Sequence, residues 1–428
     1  MDKISIGLIG LGTVGSGVVK TLEKFENINI SKIAVRNLAK KRNIEGLDEN
    51  ILTDDPFSIV NDEDIKIVVE VMGGVNPALD LIKTAIKNKK HIVTANKELL
   101  AKYGDELYAL ANENNVVILY EAAIAGGIPI IMPIKTILAA NEIFQIAGIL
   151  NGTTNYILTK MDELGVSYKD VLEDAQKLGY AEADPTGDVE GYDAAYKIAT
   201  LASLAFHQKV DINKIYKEGI TKITIDDIKT AKELGYKIKL IAIANKTDDG
   251  RLDIRVQPMF VPMENSLSKI DNVTNAVLLN GFPVGEIMFV GAGAGEFPTA
   301  SSVCGDILAI AAELPNTLTP LPMMRTNNKN QAEQIDINET YNKYYISIKA
   351  ADNVGVIGFI GATCGYNNIN LENMLQKGID KDGTARIIVI TGLCKEEHIR
   401  RAIKEIQSNN SIKEVTSLIR VMENANKE

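Results

Sequence analysis

Apolar and polar positions follow two rhythms over the first 120 residues. Short β-rich runs at 4–9, 30–35, 67–71, 92–94 and 116–119 are separated by stretches with helical spacing. Leu79, Ile82 and Ile86 repeat at i, i+3 and i+7, and Leu99, Leu107 and Leu110 support a second helix. Strand–helix alternation with short connections predicts a doubly wound parallel sheet.

Past Gly126 the rhythm changes. Residues 128–137 are apolar but carry Pro129 and Pro133, 144–150 predicts a strand, and 156–164, 168–178 and 192–205 predict helices. Strand and helix signals mix from 220 to 290, which predicts an α+β domain. The polar stretch 316–330, with Pro315, Pro320 and Pro322, reads as a linker. After Tyr341 come a strand at 344–350, a helix at 354–364, strands at 369–376 and 385–391 around a turn at 378–383, a helix at 396–407 and a strand at 415–421. Ile399, Ile403 and Ile406 give that last helix one apolar face. The order βαββαβ is the split, ferredoxin-like arrangement.

Composition narrows the class. A chain of 428 residues, 46% hydrophobic and 24% charged, can bury large cores and reads as soluble. No apolar run reaches the ~20 residues that span a bilayer. The start, Met1-Asp2-Lys3-Ile4, shows no signal-peptide pattern. Cys304, Cys364 and Cys394 have no CxxC spacing, so a reduced, cytoplasmic protein without structural zinc is expected. A net charge of −10 argues against a nucleic-acid partner. Any anionic ligand must therefore be held by locally placed Lys, Arg and backbone N–H groups.

The first such place is Gly10-Leu11-Gly12-Thr13-Val14-Gly15, directly after the first strand. In a GxGxxG loop the first glycine permits a tight turn, the second admits a pyrophosphate, and the third allows close helix–strand packing. The helix opening near Thr13 and Val14 then offers N–H groups to the phosphates. About 20 residues on, where Asp or Glu would hold the ribose hydroxyls of NAD, the chain has Arg36, with Lys41 and Arg42 beyond it. That favours NADP and leaves NAD open.

Two lysines carry the candidate chemistry. Lys97 closes Thr94-Ala95-Asn96-Lys97 at the carboxyl end of a predicted strand, the edge that faces ligand in such sheets. Lys197 stands four residues after Asp193 in a mostly apolar helix, so the two share a face. On a surface such a pair contributes only about 0.3–0.5 kcal/mol. In an apolar setting, burial would disfavour the ammonium form while Asp193 opposed that shift and fixed the amine. The preceding loop, 179–188, contains Gly179, Glu182 and Asp188, and its carboxylates suit a substrate bearing an ammonium group. These residues describe a pocket for a small zwitterion, with hydride transfer to or from a small carbonyl or alcohol. His91, His207 and His398 are scattered outside the motifs.

Assembled in order, GLGTVG, TANK, EAAIAGGIP (121–129), GILNGTTNYIL (148–158), LGYAEADPTGDVEGYDAAYK (178–197) and GAGAGEFPTASSV (291–303) closely resemble the homoserine dehydrogenase family, in its long form with a C-terminal ACT domain. The likeness runs essentially end to end. It implies three domains: a Rossmann nucleotide-binding domain at 1–128, an α+β catalytic and dimerisation domain at 129–325, and a regulatory ACT domain at 341–428. It also implies NAD(P)H-linked interconversion of L-aspartate 4-semialdehyde and L-homoserine, on the route to threonine, isoleucine and methionine. By the same resemblance Lys197 would donate the proton, with Lys97 assisting or binding substrate. Glu182 and Asp188 would hold the substrate's amino group with Asp193 nearby. Gly10, Gly12, Thr13, Val14, Gly15, Arg36, Thr94, Lys97, Gly179, Glu182 and Gly293 would touch cofactor. Backbone carbonyls of Glu121, Ile124, Gly126 and Ile128 would bind a monovalent cation, usually sodium.

The tail's turn, 352–357, resembles the ACT pattern, although Val354 stands where the family usually has Pro. Such domains pair with one another and bind an amino acid, so L-threonine feedback and a homodimer or homotetramer are implied. With nothing ahead of the glycine loop, a fused kinase is not expected. Two rivals stay open: an NADP-linked enzyme acting on another semialdehyde, and an amino-acid sensor without catalysis. Retention of both lysines argues against the sensor, which needs neither.

Overall fold

The structure, a computed structural model, describes residues 3–314, 325, 326, 328, 330–379 and 383–423. Most of the predicted linker, and residues 380–382 of the predicted turn, lie outside the described residues. Contacts divide the chain into two compact units. One comprises 1–150, 195–213 and 274–332, the other 151–194, 214–273 and 333–428.

The first unit contains a six-stranded sheet whose sequence-numbered order is 3-2-1-4-5-6. Its strands are Leu52–Thr53, Ile28–Ala34, Ile4–Ile9, Ile67–Glu70, His91–Thr94 and Ile118–Leu119, every neighbouring pair parallel. All four residues of Ile67–Glu70 are buried, as a strand covered on both faces requires. This is the doubly wound Rossmann-like sheet that strand–helix alternation predicts, and it places Gly10, Glu70, Thr94 and Tyr120 at the carboxyl ends of strands, where ligands bind. The helix Glu296–Glu313 packs Ala300, Val303, Cys304 and Ile307 into the same core as Val18 and Leu22. Three further strands, Glu142–Ile149, Thr274–Phe282 and Gly285–Ala292, pair antiparallel through the middle one.

In the second unit, Tyr236–Lys246 and Leu252–Pro262 form a long antiparallel hairpin in unbroken register. The predicted helices 156–164 and 168–178 are present as Gly152–Leu164 and Tyr168–Lys177. The tail runs Tyr341–Ala351, helix Val356–Tyr366, Leu371–Ile379, Thr384–Thr391, helix Glu396–Gln407, Ile412–Val421. Its four long strands lie side by side in the order fourth, first, third, second. The second of them starts at Leu371, later than the predicted 369, because Asn368 takes a left-handed turn (φ 56°) after the helix. Ile399 and Ile406 are buried and Ile403 half-buried in the tail's core with Tyr344, Ile346 and Ile348. The tail joins the hairpin through Met259↔Arg420 and Phe260↔Val421, and the rings of Phe260 and Tyr345 stack with centres 4.4 Å apart. Among the described residues no helix is long and apolar enough to cross a membrane.

Candidate active site

The glycine loop is built by backbone. Gly10 donates its N–H to the Ala34 carbonyl at 3.0 Å and adopts φ +107°, a conformation L side chains rarely take. A Cβ added to Gly15 would lie 2.2 Å from the Gly10 carbonyl oxygen, so helix and turn can approach only with glycine there. A Cβ at Gly12 would meet nothing within 4 Å, which leaves that face open. The helix Thr13–Leu22 begins at Gly12 with no side chain capping it. Its first-turn N–H groups, those of Thr13 and Val14 included, suit a pyrophosphate in that opening. Arg36 is exposed just past the second strand, as is Lys41. Arg42 instead donates to the carbonyls of Asn37 (2.6 Å) and Lys40 (2.8 Å), closing its own loop.

At the neighbouring strand ends a buried carboxylate organises the wall. Glu70, fully buried, accepts the Thr94 hydroxyl at 2.7 Å and the Met72 and Gly73 amides at 2.9 and 3.2 Å. Burial pushes its pKa up against the pull of those donors. Thr94 Oγ1 accepts from the Asn96 amide, and Asn96 caps the helix Lys97–Glu113 while donating to the Gly74 carbonyl at 2.6 Å. Lys97, half-buried, therefore leaves a helix start fixed from three sides.

The acidic cluster has a different construction. Asn151 caps the helix Gly152–Leu164 through Oδ1, and its Nδ2 donates to Asp188 Oδ1 at 2.7 Å and Asp193 Oδ2 at 2.9 Å. Asp188, in the short helix Thr186–Val189, and Asp193, at the start of the helix Tyr192–Phe206, are thus drawn together. Lys197, one helical turn on, is 7% exposed and donates from Nζ to the Leu150 carbonyl at 2.6 Å. Buried in this way, it is no surface ion pair. Gly179 turns at φ +78° after the preceding helix. Glu182 is exposed on the loop, where its carbonyl accepts from Gln176 at 3.0 Å.

After the sixth strand, Glu121 is 6% exposed and its carboxylate accepts the amides of Ile130, Ile131 and Met132. Ile124 and Ile128 are buried, and the carbonyl of Gly126 (φ +59°) accepts the Ser302 hydroxyl at 2.7 Å. A Cβ at Gly126 would lie 2.4 Å from Gly293, so these two glycine loops touch. The Glu121 amide donates to Asp306, whose buried carboxyl is pushed up to about 8. Among the described residues no group of three or more His, Cys, Asp or Glu side chains could hold a metal ion.

Comparison with known proteins meets this geometry. The family model for homoserine dehydrogenase matches residues 129–308, and that for the homoserine dehydrogenase NAD binding domain matches 10–121. A homoserine dehydrogenase of Synechocystis is 43% identical over 98% of this chain and 99% of its own. The chain belongs to the homoserine dehydrogenase family. It is an NAD(P)-dependent oxidoreductase of CH–OH groups, interconverting L-homoserine and L-aspartate 4-semialdehyde. Among solved structures, a homoserine dehydrogenase from Thiobacillus denitrificans superposes with a TM-score of 0.92 at 38% identity, covering 99% of each chain. A hyperthermophilic archaeal homoserine dehydrogenase in complex with NADPH matches 73% of this chain and 99% of its own, with a TM-score of 0.63 and 28% identity.

Three participants escape a reading of the sequence alone: Glu70, the Leu150 carbonyl and Asn151. Asn151 carried one local signal, an amide-bearing residue immediately before a helix, which marks a cap. Its bonds to Asp188 and Asp193 carry no such signal.

Proposed function

We propose that Lys197 is the proton donor of this homoserine dehydrogenase. The observation that carries the assignment is a buried ammonium group bonded to the Leu150 carbonyl, with the next residue, Asn151, tying Asp188 to Asp193. Reduction of the aldehyde puts negative charge on its oxygen, and a pre-positioned ammonium both stabilises that charge and supplies a proton. Lys97 assists or binds substrate, and Glu182, Asp188 and Asp193 hold the amino group. The nicotinamide supplies hydride when bound. Its pyrophosphate is held by Gly10, Gly12, Thr13, Val14 and Gly15, and the rest of the cofactor by Thr94, Lys97, Gly179, Glu182 and Gly293. Exposed Arg36 makes NADP the preferred cofactor, since a guanidinium matches a 2′-phosphate. The archaeal relative's NADPH complex supports the same reading.

The division of labour is nucleotide binding at 1–128, catalysis and dimerisation at 129–325, and an ACT role at 341–428. The strand order of the tail and its Gly355 turn at φ +91° support an ACT assignment, with L-threonine as effector and a homodimer or homotetramer as the working state. Sodium is assigned to the carbonyls of Glu121, Ile124, Gly126 and Ile128, all four residues being buried. The protein is placed in the cytoplasm. The test is the absorbance of NADPH when the protein meets L-aspartate 4-semialdehyde, in sodium or potassium salt, with and without L-threonine. Oxidation that threonine suppresses supports enzyme and tail together. Oxidation indifferent to threonine leaves the tail an assembly module.

A further inference from the structure

A buried ammonium group in the second unit takes no part in the proposed proton transfer. Lys239, on the hairpin strand Tyr236–Lys246, is 1% exposed. Its Nζ donates to Asn155 Oδ1 at 3.0 Å, to the Ile270 carbonyl at 2.6 Å and to Asp271 Oδ1 at 2.8 Å. Burial pulls its pKa down, and the Asp271 carboxylate opposes that shift. Asp271 also meets Lys237 at 3.0 Å, and its side chain is 32% exposed, so its charge does not depend on Lys239.

Asn155 is the group this arrangement singles out. Its Nδ2 donates to the Ile270 carbonyl at 3.1 Å, while its Oδ1 accepts from Lys239. Four residues earlier stands Asn151, whose carbonyl accepts the Asn155 N–H at 3.3 Å. Four residues later stands Thr159, whose hydroxyl accepts the Asn272 amide at 3.1 Å. At that spacing the three share one side of the helix Gly152–Leu164, and they are only 5%, 1% and 4% exposed. This buried polar stripe has two ends with different partners. Asn151 gathers Asp188 and Asp193, whereas Asn155 and Thr159 are fixed to the 270–272 turn, with Lys239 joining helix, turn and hairpin.

Such bonds fix what apolar packing leaves adjustable. A hydrogen bond weakens steeply once its angle falls below about 120°. A rotation of the helix by about 10° would carry a side-chain tip ~6 Å from its axis through ~1 Å. A shift of that size is enough to disturb a ligand's binding geometry. Stability alone does not account for a lysine here. Replacing a buried charge by an apolar residue of similar volume is often neutral when no partner charge is stranded, and Lys237 and solvent keep Asp271 satisfied.

We propose that Lys239 is a positioning residue for substrate binding, fixing the helix Gly152–Leu164 through Asn155 so that Asn151 meets Asp188 and Asp193. The inference rests on the proposed role of those two carboxylates in holding the substrate's amino group.

The test is a double-mutant cycle on KM for homoserine, with kcat, NADPH affinity and urea midpoints measured on the same preparations. Lys239→Met is expected to raise KM about three- to tenfold and to leave kcat and NADPH affinity near those of the parent. Asn155→Leu cuts the same link from the helix side and should do the same, which covers the case of a poorly folding Lys239→Met. Combined with Asn151→Ala, either substitution should add almost nothing to the rise that Asn151→Ala causes alone, because effects passing through one contact are not additive. A merely structural lysine would lower the urea midpoint and leave KM where it was. Unchanged KM in both single variants, or independent rises in the cycle, overturns the inference while a raised KM in Asn151→Ala keeps the reading of the carboxylates. Unchanged KM in Asn151→Ala would sink that reading and the inference with it.

Discussion

The glycine loop and the Asn151 cluster solve the problem of holding a charged ligand in opposite ways. The loop uses backbone alone, within one turn after one strand, and its specificity lies in side chains that are absent. The cluster uses one amide to gather two carboxylates that lie 37 and 42 residues further along the chain. A backbone site fails when something is added, and a side-chain site fails when something is removed.

The largest effect expected from that contrast is at Gly15. Valine there would drive Cβ into the Gly10 carbonyl, at a cost of about 3 kcal/mol or more if the turn is to survive. Urea unfolding and NADPH titration should show a destabilised protein with little cofactor affinity. Gly12→Ala, with open space around it, should keep its stability and lose affinity alone. Equal destabilisation by both would erase the distinction.

Asn151 should respond to truncation. Asn151→Ala removes a helix cap, typically about 1 kcal/mol, and releases two carboxylates. KM for homoserine should rise on the order of tenfold, one hydrogen-bonded contact's worth. Asn151→Asp restores the cap but sets a third carboxylate beside Asp188 and Asp193, so it should recover stability without recovering KM. Recovery of both would mean that the amide's second role is idle.

Asp306, which accepts the Glu121 amide, responds to pH. Burial pushes its carboxyl up from 3.8 to about 8, so between those values the folded state keeps a proton that the unfolded chain has lost. Stability from this group therefore falls as pH rises from about 4 to about 8. Lys135, pushed down by burial to about 8, works in the opposite direction but only above that pH. Asp306→Asn keeps an acceptor for the Glu121 amide and should flatten the decline between pH 5 and 8 in urea midpoints. A slope identical to that of the parent would refute a buried, protonated Asp306.

Least affected should be Glu70→Gln. The amide keeps its oxygen as the acceptor for the 72–73 amides and turns its NH2 group toward Thr94 Oγ1, so a modest loss of kcat/KM, on the order of threefold, is expected. Glu70→Ala strips all three bonds and should cost far more.

The contrast also explains what could be seen in advance. Gly10, Gly12 and Gly15 are legible because their meaning is fixed by spacing within one turn. The parallel sheet is legible because strands buried on both faces write continuous apolar runs. Ile399, Ile403 and Ile406 announce their helix in the same local way. The partnership of Asn151 with Asp188 and Asp193 depends on how separate segments fold back, and residue spacing holds no record of it. Glu70 was hidden for a related reason. A carboxylate ending an apolar strand looks like the strand's polar boundary until Thr94 and the 72–73 amides are seen to converge on it.

The central claim is that buried Lys197 delivers the proton, and its most direct test is Lys197→Ala with kcat and NADPH affinity measured side by side. A fall in kcat of roughly 10²–10⁴-fold with NADPH affinity retained is the expected outcome. An unchanged kcat would contradict the mechanism, and an equal loss of cofactor affinity would make Lys197 a structural residue instead.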